Sequence, residues 1–389
     1  MNDLIKKWTS TLLVLSFLTS CTQIVSTDPA PGQEEETFQQ LLEEAMRDSY
    51  DQAAGISMAV VAPSLGIDWS GAVGSDRRDS LRTLGTDQPF RIASVTKTFV
   101  AAAILRLHEM GRLELDESIA PYISEAHQQL LRSGGYQVDD ITFRHCLNHT
   151  SGFLDYAMSN PYMQMAQNNP RRRWTRTDQL QLAMEIGPPL GQPGERYSYN
   201  DTGYILAGEA IEGLVDSSLA YGLRSLLSFD QLALTSTWLE TLEDEPEGLP
   251  RQVRRYLRRR DFTDWDPSID LYGGGGLVST TRDLAHFAQA LFEGKIYQQE
   301  TTLDKMLSKA SYGESYHPEE DERYKDYRLG LWEIDIYGEK AYTHFGLWGT
   351  QLLHIPAYNC SIAINFTSGH WERLMKKTIL VIRNRQNAS

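Results

Sequence analysis

The chain has 389 residues, 41% hydrophobic and 23% charged, which is enough apolar material for one large composite domain or two. Its formal net charge of −15 argues against nucleic acid as the main partner, because a polyanion is repelled by such a surface rather than steered to it.

In chain order, Lys6 and Lys7, an apolar run from Leu12 to Leu18 and then Cys21 have the layout of a secretory leader. The apolar run is too short to cross a bilayer as a stable helix. It is similar to the leaders of bacterial lipoproteins. That similarity implies a signal peptide over residues 1–20, a lipid on Cys21, and an exported protein anchored to a membrane of the cell envelope. Residues 21–37 are polar and read as a disordered tether, so the folded region is expected over 38–385. With Cys21 lipidated, Cys146 and Cys360 remain. Exported cysteines can pair, but a helix start and a strand far apart in the chain favour two buried free thiols.

Apolar residues at Phe38, Leu41, Leu42, Ala45 and Met46 predict a helix from Phe38 to Tyr50. Two strands follow, Ile56 to Val61 and Gly66 to Ser70, joined by a turn at residues 63–66. Ser94 and Lys97 then stand one helical turn apart at the start of the apolar run Phe99 to Leu107, which reads as a buried helix closed by Gly111. A serine hydroxyl must lose its proton as it attacks, and a neighbouring lysine freed of its own proton by burial could accept it. On its own the pair is weak evidence, since Ser94 could simply cap the helix.

From about 140 to 235 the pattern is mostly helical, within an expected helical subdomain over roughly 110–270. Arg171 to Arg173 read as a solvated face. Arg251 to Arg260 holds six arginines in ten residues after the acidic stretch Glu243 to Glu247. Neighbouring acids are the expected partners of these charges, ahead of an acidic polymer or anionic lipid. The turn Gly273 to Gly276 leads to a helix capped within Ser279 to Thr281, and it lacks the Gly-Lys-Ser/Thr end of a phosphate loop. Strands are predicted over 327–336, 341–344, 351–355 and 361–366, followed by a helix from about Trp371. Strands at both chain ends and helices between them imply one sheet closed by its termini. His145, His149 and His354 read as packed, hydrogen-bonded residues. No histidine spacing is backed by further ligands, so neither a metal nor a cofactor is expected.

Several segments, in order, resemble the penicillin-recognising serine hydrolases, in the branch of class C β-lactamases and D-alanyl-D-alanine carboxypeptidases. They are Pro89 to Thr98, Ile141 to Phe153, Pro193 to Tyr204, Gly275 to Leu284 and Tyr342 to Thr350. The resemblance implies an α/β (α+β) fold of the β-lactamase/transpeptidase type, an antiparallel sheet flanked by helices with an all-helical half, and a cleft between the two. It further implies that Ser94 is acylated, that Lys97 shares its proton, and that Tyr199 relays protons to and from the leaving group. A register on Ser198 and Asn200 is the alternative reading of the second motif. In the Tyr199 register Asp201 stands where Asn is commonest, and a carboxylate there cannot donate to a substrate carbonyl. His344, Phe345 and Gly346 take the place of a common Lys-Thr-Gly triplet. The N–H groups of Ser94 and Leu347 would form the oxyanion hole.

The implied reaction is hydrolysis of a D-amino-acid peptide, a β-lactam or an ester through an acyl-enzyme. Asp201 and His344 make a peptidase or esterase the better expectation than an efficient β-lactamase. A catalytically silent envelope protein, binding peptidoglycan fragments or a protein partner in the same cleft, is the alternative. The sequence leaves the oligomeric state open.

Overall fold

The computed structural model describes residues 33–48, 53–78, 80–257, 260–310, 314–315, 326–366 and 372–388. The expected leader and Cys21 lie outside them. Helix Gln33–Asp48 begins five residues before the expected start at Phe38, so residues 33–37 are helix and not tether. Gln and Glu are good helix formers, and the apolar face from Phe38 onward gives the turn before it something to extend.

Seven antiparallel strands form the central sheet, in the order Asp326–Tyr327, Trp332–Ile336, Glu339–Gly346, Thr350–Ile355, Cys360–Phe366, Gly55–Ala62, Ile67–Gly74. The termini close it as expected, with Ile56 opposite Phe366 and Val60 opposite Ile362. Strand alternation divides the packing between the two faces. Ile56, Met58 and Val60 join Phe38, Leu42, Met375 and Ile379 on the side covered by the helices Gln33–Asp48 and Glu372–Ala388. Ala59 and Val61 join the larger core on the other side, built around the helices Thr96–Glu109 and Thr281–Phe292. Beyond them lie the helices Glu125–Ser133, Phe143–Leu147, Asn160–Asn168, Arg176–Glu185, Thr202–Val215 and Leu219–Leu226. This is the expected mixed α/β fold.

Two local expectations are corrected. The stretch 327–336 is two strands, parted by a turn in which Arg328 N–H donates to the Leu331 carbonyl at 2.7 Å. The turn carries Gly330 to the nucleophile helix, where Thr98 Oγ1 donates to its carbonyl at 2.8 Å and a Cβ would lie 2.6 Å from Ala101 Cβ. After the glycine turn comes the short strand Leu277–Ser279 before its helix, paired on one side with Phe90–Arg91 and on the other with Trp238–Leu239. Three residues are too few to show a period-two pattern. The helix that follows has Thr280 as its cap, its side chain accepting from Asp283 N–H. Cys146 and Cys360 are buried free thiols.

Candidate active site

Ser94 sits in a tight 3₁₀ turn, Ala93–Val95, directly ahead of the buried helix Thr96–Glu109. Ala93 has a φ of 47°, a left-handed conformation that L-residues adopt at a cost, and neighbouring strands hold it there. Ile92 N–H donates to the Leu277 carbonyl at 3.0 Å, and Leu277 N–H donates to Thr96 Oγ1 at 3.2 Å. The end of strand Glu339–Gly346 presses on the same turn. A Cβ on Gly346 would stand 2.1 Å from the Ile92 carbonyl oxygen, so only glycine fits. Ser94 is thus set by packing on both flanks.

Lys97 is fully buried and its Nζ meets three acceptors: Ser94 Oγ at 2.9 Å, the Gly274 carbonyl at 2.6 Å and Asp201 Oδ1 at 2.6 Å. These match the three N–H donors of an ammonium. The carboxylate at position 201 is thus in direct contact with the lysine. Tyr199 completes the group. Its phenol stands close enough to Ser94 for the serine hydroxyl to act on its pKa, in the lowering direction, and its ring centroid lies 5.0 Å from Lys97 Nζ. Ser198 and Asn200 are turned into the protein, where Asn200 Oδ1 accepts from Gly203 N–H at 2.9 Å and its Nδ2 donates to the Ser198 carbonyl at 2.7 Å. The geometry therefore brings Tyr199, and not Ser198, to Ser94.

Two carboxyls not singled out in the sequence surround Asp201. Asp155 Oδ1 accepts the N–H groups of Asp201 and Ala157, each at 3.2 Å. Burial, and then the charge of Asp201, pushes the Asp155 carboxyl up to about 7; the same two causes push Asp270 up to about 6. Burial and Asp201 also raise the Tyr199 phenol well above its ordinary value, so it is a neutral donor and acceptor. The glycine turn makes this crowding possible, because a Cβ on Gly275 would meet Asp270 Oδ1 at 1.9 Å and one on Gly274 would meet Asp201 Oδ2 at 2.7 Å. Asp155 follows the Gly152-Phe153 segment by two residues, the only hint the sequence offered.

His344 does not face the cleft, which corrects the expectation that it touches substrate. His344 is fully buried and absent from the cavity lining, its ring centroid 6.4 Å from that of Tyr199, while Phe345 lines the cavity. Its Nδ1 lies 2.9 Å from the Phe345 carbonyl, so Nδ1–H is the donor, and Nε2, at 3.1 Å, accepts from the Tyr327 hydroxyl. Both ring nitrogens are taken. Burial and Lys97 hold the imidazole well below its ordinary pKa, hence neutral. The other histidines are packed as expected: His354 Nδ1 lies 2.9 Å from Ser361 Oγ, Thr142 N–H donates to His145 Nδ1 at 3.2 Å, and Asn200 N–H donates to His149 Nδ1 at 3.3 Å. Among the described residues no cluster of side chains could hold a metal ion.

Ser94 opens into a cavity of about 440 Å³ lined mainly by apolar and aromatic side chains, among them Met158, Met163, Phe262, Trp265, Phe345 and Trp348. Gly346 and the 44% exposed Leu347 line it beside Ser94, while Asp155, Asp201 and Asp270 form its polar end. Among the described residues no Arg, Lys or His is in that lining, and Arg260 stands by its aromatic wall, with its guanidinium 5.4 Å from the Phe262 ring centroid.

An antiparallel sheet capped by helices, with Ser, Lys and Tyr converging at the lip of a cleft, is the architecture of the β-lactamase fold. The family model described as Beta-lactamase matches residues 38–386, and the chain belongs to that family. Penicillin-binding protein 4* of Bacillus subtilis is 26% identical over 284 residues, 69% of this chain and 57% of that protein. Esterase EstB of Burkholderia gladioli is 38% identical over 96 residues, a quarter of this chain (25%) and 24% of its own length. The chain spans a little over half the length of the first curated relatives it matches, 57% and 53%. D-amino acid amidase from Ochrobactrum anthropi SV3 superposes with a TM-score of 0.73 at 22% identity, over 91% of this chain and all (100%) of that one.

Proposed function

We propose that the protein hydrolyses an ester or amide with an apolar acyl portion, through an acyl-enzyme on Ser94. The observation that carries this reading is the Ser94 hydroxyl bonded by Lys97, with Tyr199 beside it, at the edge of an apolar cavity. Ser94 Oγ attacks the acyl carbon while its proton passes to Tyr199 and the phenolic proton of Tyr199 passes to the leaving oxygen or nitrogen. The bond to the leaving group then breaks, leaving the acyl group esterified to Ser94. Water reverses the relay: it attacks the acyl carbon, gives its proton to Tyr199, and Tyr199 returns one to Ser94 Oγ. A neutral phenol suits this exchange, since it gives and receives in one step. Lys97 stabilises negative charge on Oγ, and the N–H groups of Ser94 and Leu347 are the donors for the oxyanion.

Charge narrows the substrate. A D-alanyl-D-alanine peptide or a β-lactam carries a free carboxylate, and among the described residues the lining of the cleft offers three carboxyls and no cationic side chain to receive it. Neutral or amine-bearing esters and amides fit better, in line with the names of an esterase and an amidase among the similar proteins. The test is covalent labelling with a fluorophosphonate read by mass spectrometry, followed by kcat/KM for p-nitrophenyl esters, D-amino acid amides, D-Ala-D-Ala peptides and nitrocefin. One adduct on the native chain and none on Ser94→Ala is expected, with turnover falling at least ~10³-fold in the variant. A folded native chain that takes no adduct would favour the binding-protein alternative. Fastest turnover of the carboxylate-bearing substrates would overturn the charge argument alone.

A further inference from the structure

Trp265 also lines a second cavity, of about 690 Å³, whose charged walls include Arg91, Glu240 and Arg255 from the arginine-rich segment and its surroundings. Arg255 is only 5% exposed. Its backbone is pinned, since its N–H donates to Thr263 Oγ1 at 3.0 Å and its carbonyl accepts from Phe262 N–H at 2.9 Å. The guanidinium donates to two neutral acceptors, Gln252 Oε1 at 3.0 Å and the Thr263 carbonyl at 2.5 Å. Its Nε makes no hydrogen bond among the described residues. Of five N–H donors, three are therefore unclaimed in a nearly buried side chain.

Buried charges are almost always paired. The carboxylates nearest in effect to Arg255 are Glu240, Asp261 and Asp264. Glu240 is held by Arg91 through two contacts, at 2.5 and 3.2 Å, and Asp261 is paired with Arg254 at 2.9 Å. Asp264 is exposed and forms no ion pair among the described residues. Of the acidic stretch expected to neutralise this segment, Glu243 is bonded to Arg224 at 2.9 Å, and Glu245 lines the cavity without an ion pair to Arg255 among the described residues. Burial, and next the like charge of Arg91, brings the Arg255 guanidinium down to about 9. The cavity wall also carries Asp76, Glu245, Asp264 and Asp266, and no hydrogen bond or ion pair among the described residues joins them to Arg255, so a buried cation beside a like charge keeps spare donors with no anion in contact.

We propose that this cavity binds a compact oxyanion, a phosphate or carboxylate group, with Arg255 as its principal donor. The planar guanidinium can present two parallel N–H groups to such a group. Binding is read on the resting protein, so the site stands or falls independently of the hydrolytic reading.

The test is titration of the full chain with inorganic phosphate at constant ionic strength, followed by calorimetry and by melting temperature. One site in the native chain is expected, with Tm raised by about 2 °C at ten times Kd. Arg255→Met removes the unpaired charge and keeps the stem. Its Tm without phosphate should be no lower than native, and phosphate should leave it unmoved. Arg255→Lys keeps the charge without the fork and should bind at least ~10-fold more weakly, which carries the test if the methionine variant fails to fold. No heat and no Tm shift in the native chain, or an equal response from either variant, overturns the site. The source of the anion is separated with p-nitrophenyl esters that end, or do not end, in a carboxylate. Phosphate that raises KM only for the acidic ester identifies the far end of a substrate. Phosphate that leaves both unchanged identifies a free anion, and either result upholds the site.

Discussion

Asp201 touches Lys97 directly and shapes three further groups through its charge. It lifts Asp155, Asp270 and Tyr199 in concert with burial, so a single residue sets the protonation of the whole cleft end. Its departure from the commoner Asn was visible in the sequence. Its partners were not, because Asp155 and Asp270 lie 46 and 69 residues away and only the packed chain brings them together. Stability should carry the signature. Between about pH 4 and 7 the folded chain holds a proton on Asp155 that the unfolded chain has released, so this contribution is full below pH 4 and lost as pH rises through about 7. Asp155→Asn should flatten the fall in Tm between pH 5 and 7.5 relative to native. Parallel profiles for the two proteins would show that Asp155 does not hold that proton.

Among elements, the nucleophile helix was the most legible, since an unbroken apolar run after Ser94 allows little but burial. What fixes Ser94 was far less so: a three-residue strand, a glycine turn and the end of a distant strand, each too short to leave a periodic pattern. Gly346 is the sharpest case. Gly346→Ala should push the strand end off the Ile92 carbonyl, cost about 1–3 kcal/mol of stability and lower the acylation rate more than ~10-fold, measured by denaturant melts and fluorophosphonate labelling. Gly213→Ala is the contrast. It lies exposed in helix Thr202–Val215 with its nearest obstacle 3.9 Å away, so it should gain about 0.5–1 kcal/mol and label at the native rate. Equal effects at the two sites would mean that close approach does not position the nucleophile.

Across the whole molecule, the sheet is completed by residues more than three hundred positions apart, as in the pairing of Ile56 with Phe366. Helix Glu372–Ala388 seals that seam with Leu374, Met375, Ile379 and Ile382, all buried. At ~1.5–3 kcal/mol for each such side chain, their loss removes roughly 6–12 kcal/mol, as much as a whole domain commonly has. A chain ending at residue 371 should therefore be insoluble or lack a cooperative melt by circular dichroism. A soluble, cooperatively melting truncation would show that the other core holds the fold alone.

The sequence by itself determined the sheet closed by its termini and the buried helix behind Ser94, and it offered Ser94, Lys97 and, through a resemblance, Tyr199 as candidates, because local periodicity and short motifs record what a residue's near neighbours require. Tertiary structure decided the rest. His344 turned out to be buried with both ring nitrogens engaged, Asp155 and Asp270 came to surround Asp201, and Arg255 was left without a carboxylate in contact. Burial and charge at a site depend on which distant segments pack there, and no stretch of chain carries that information alone.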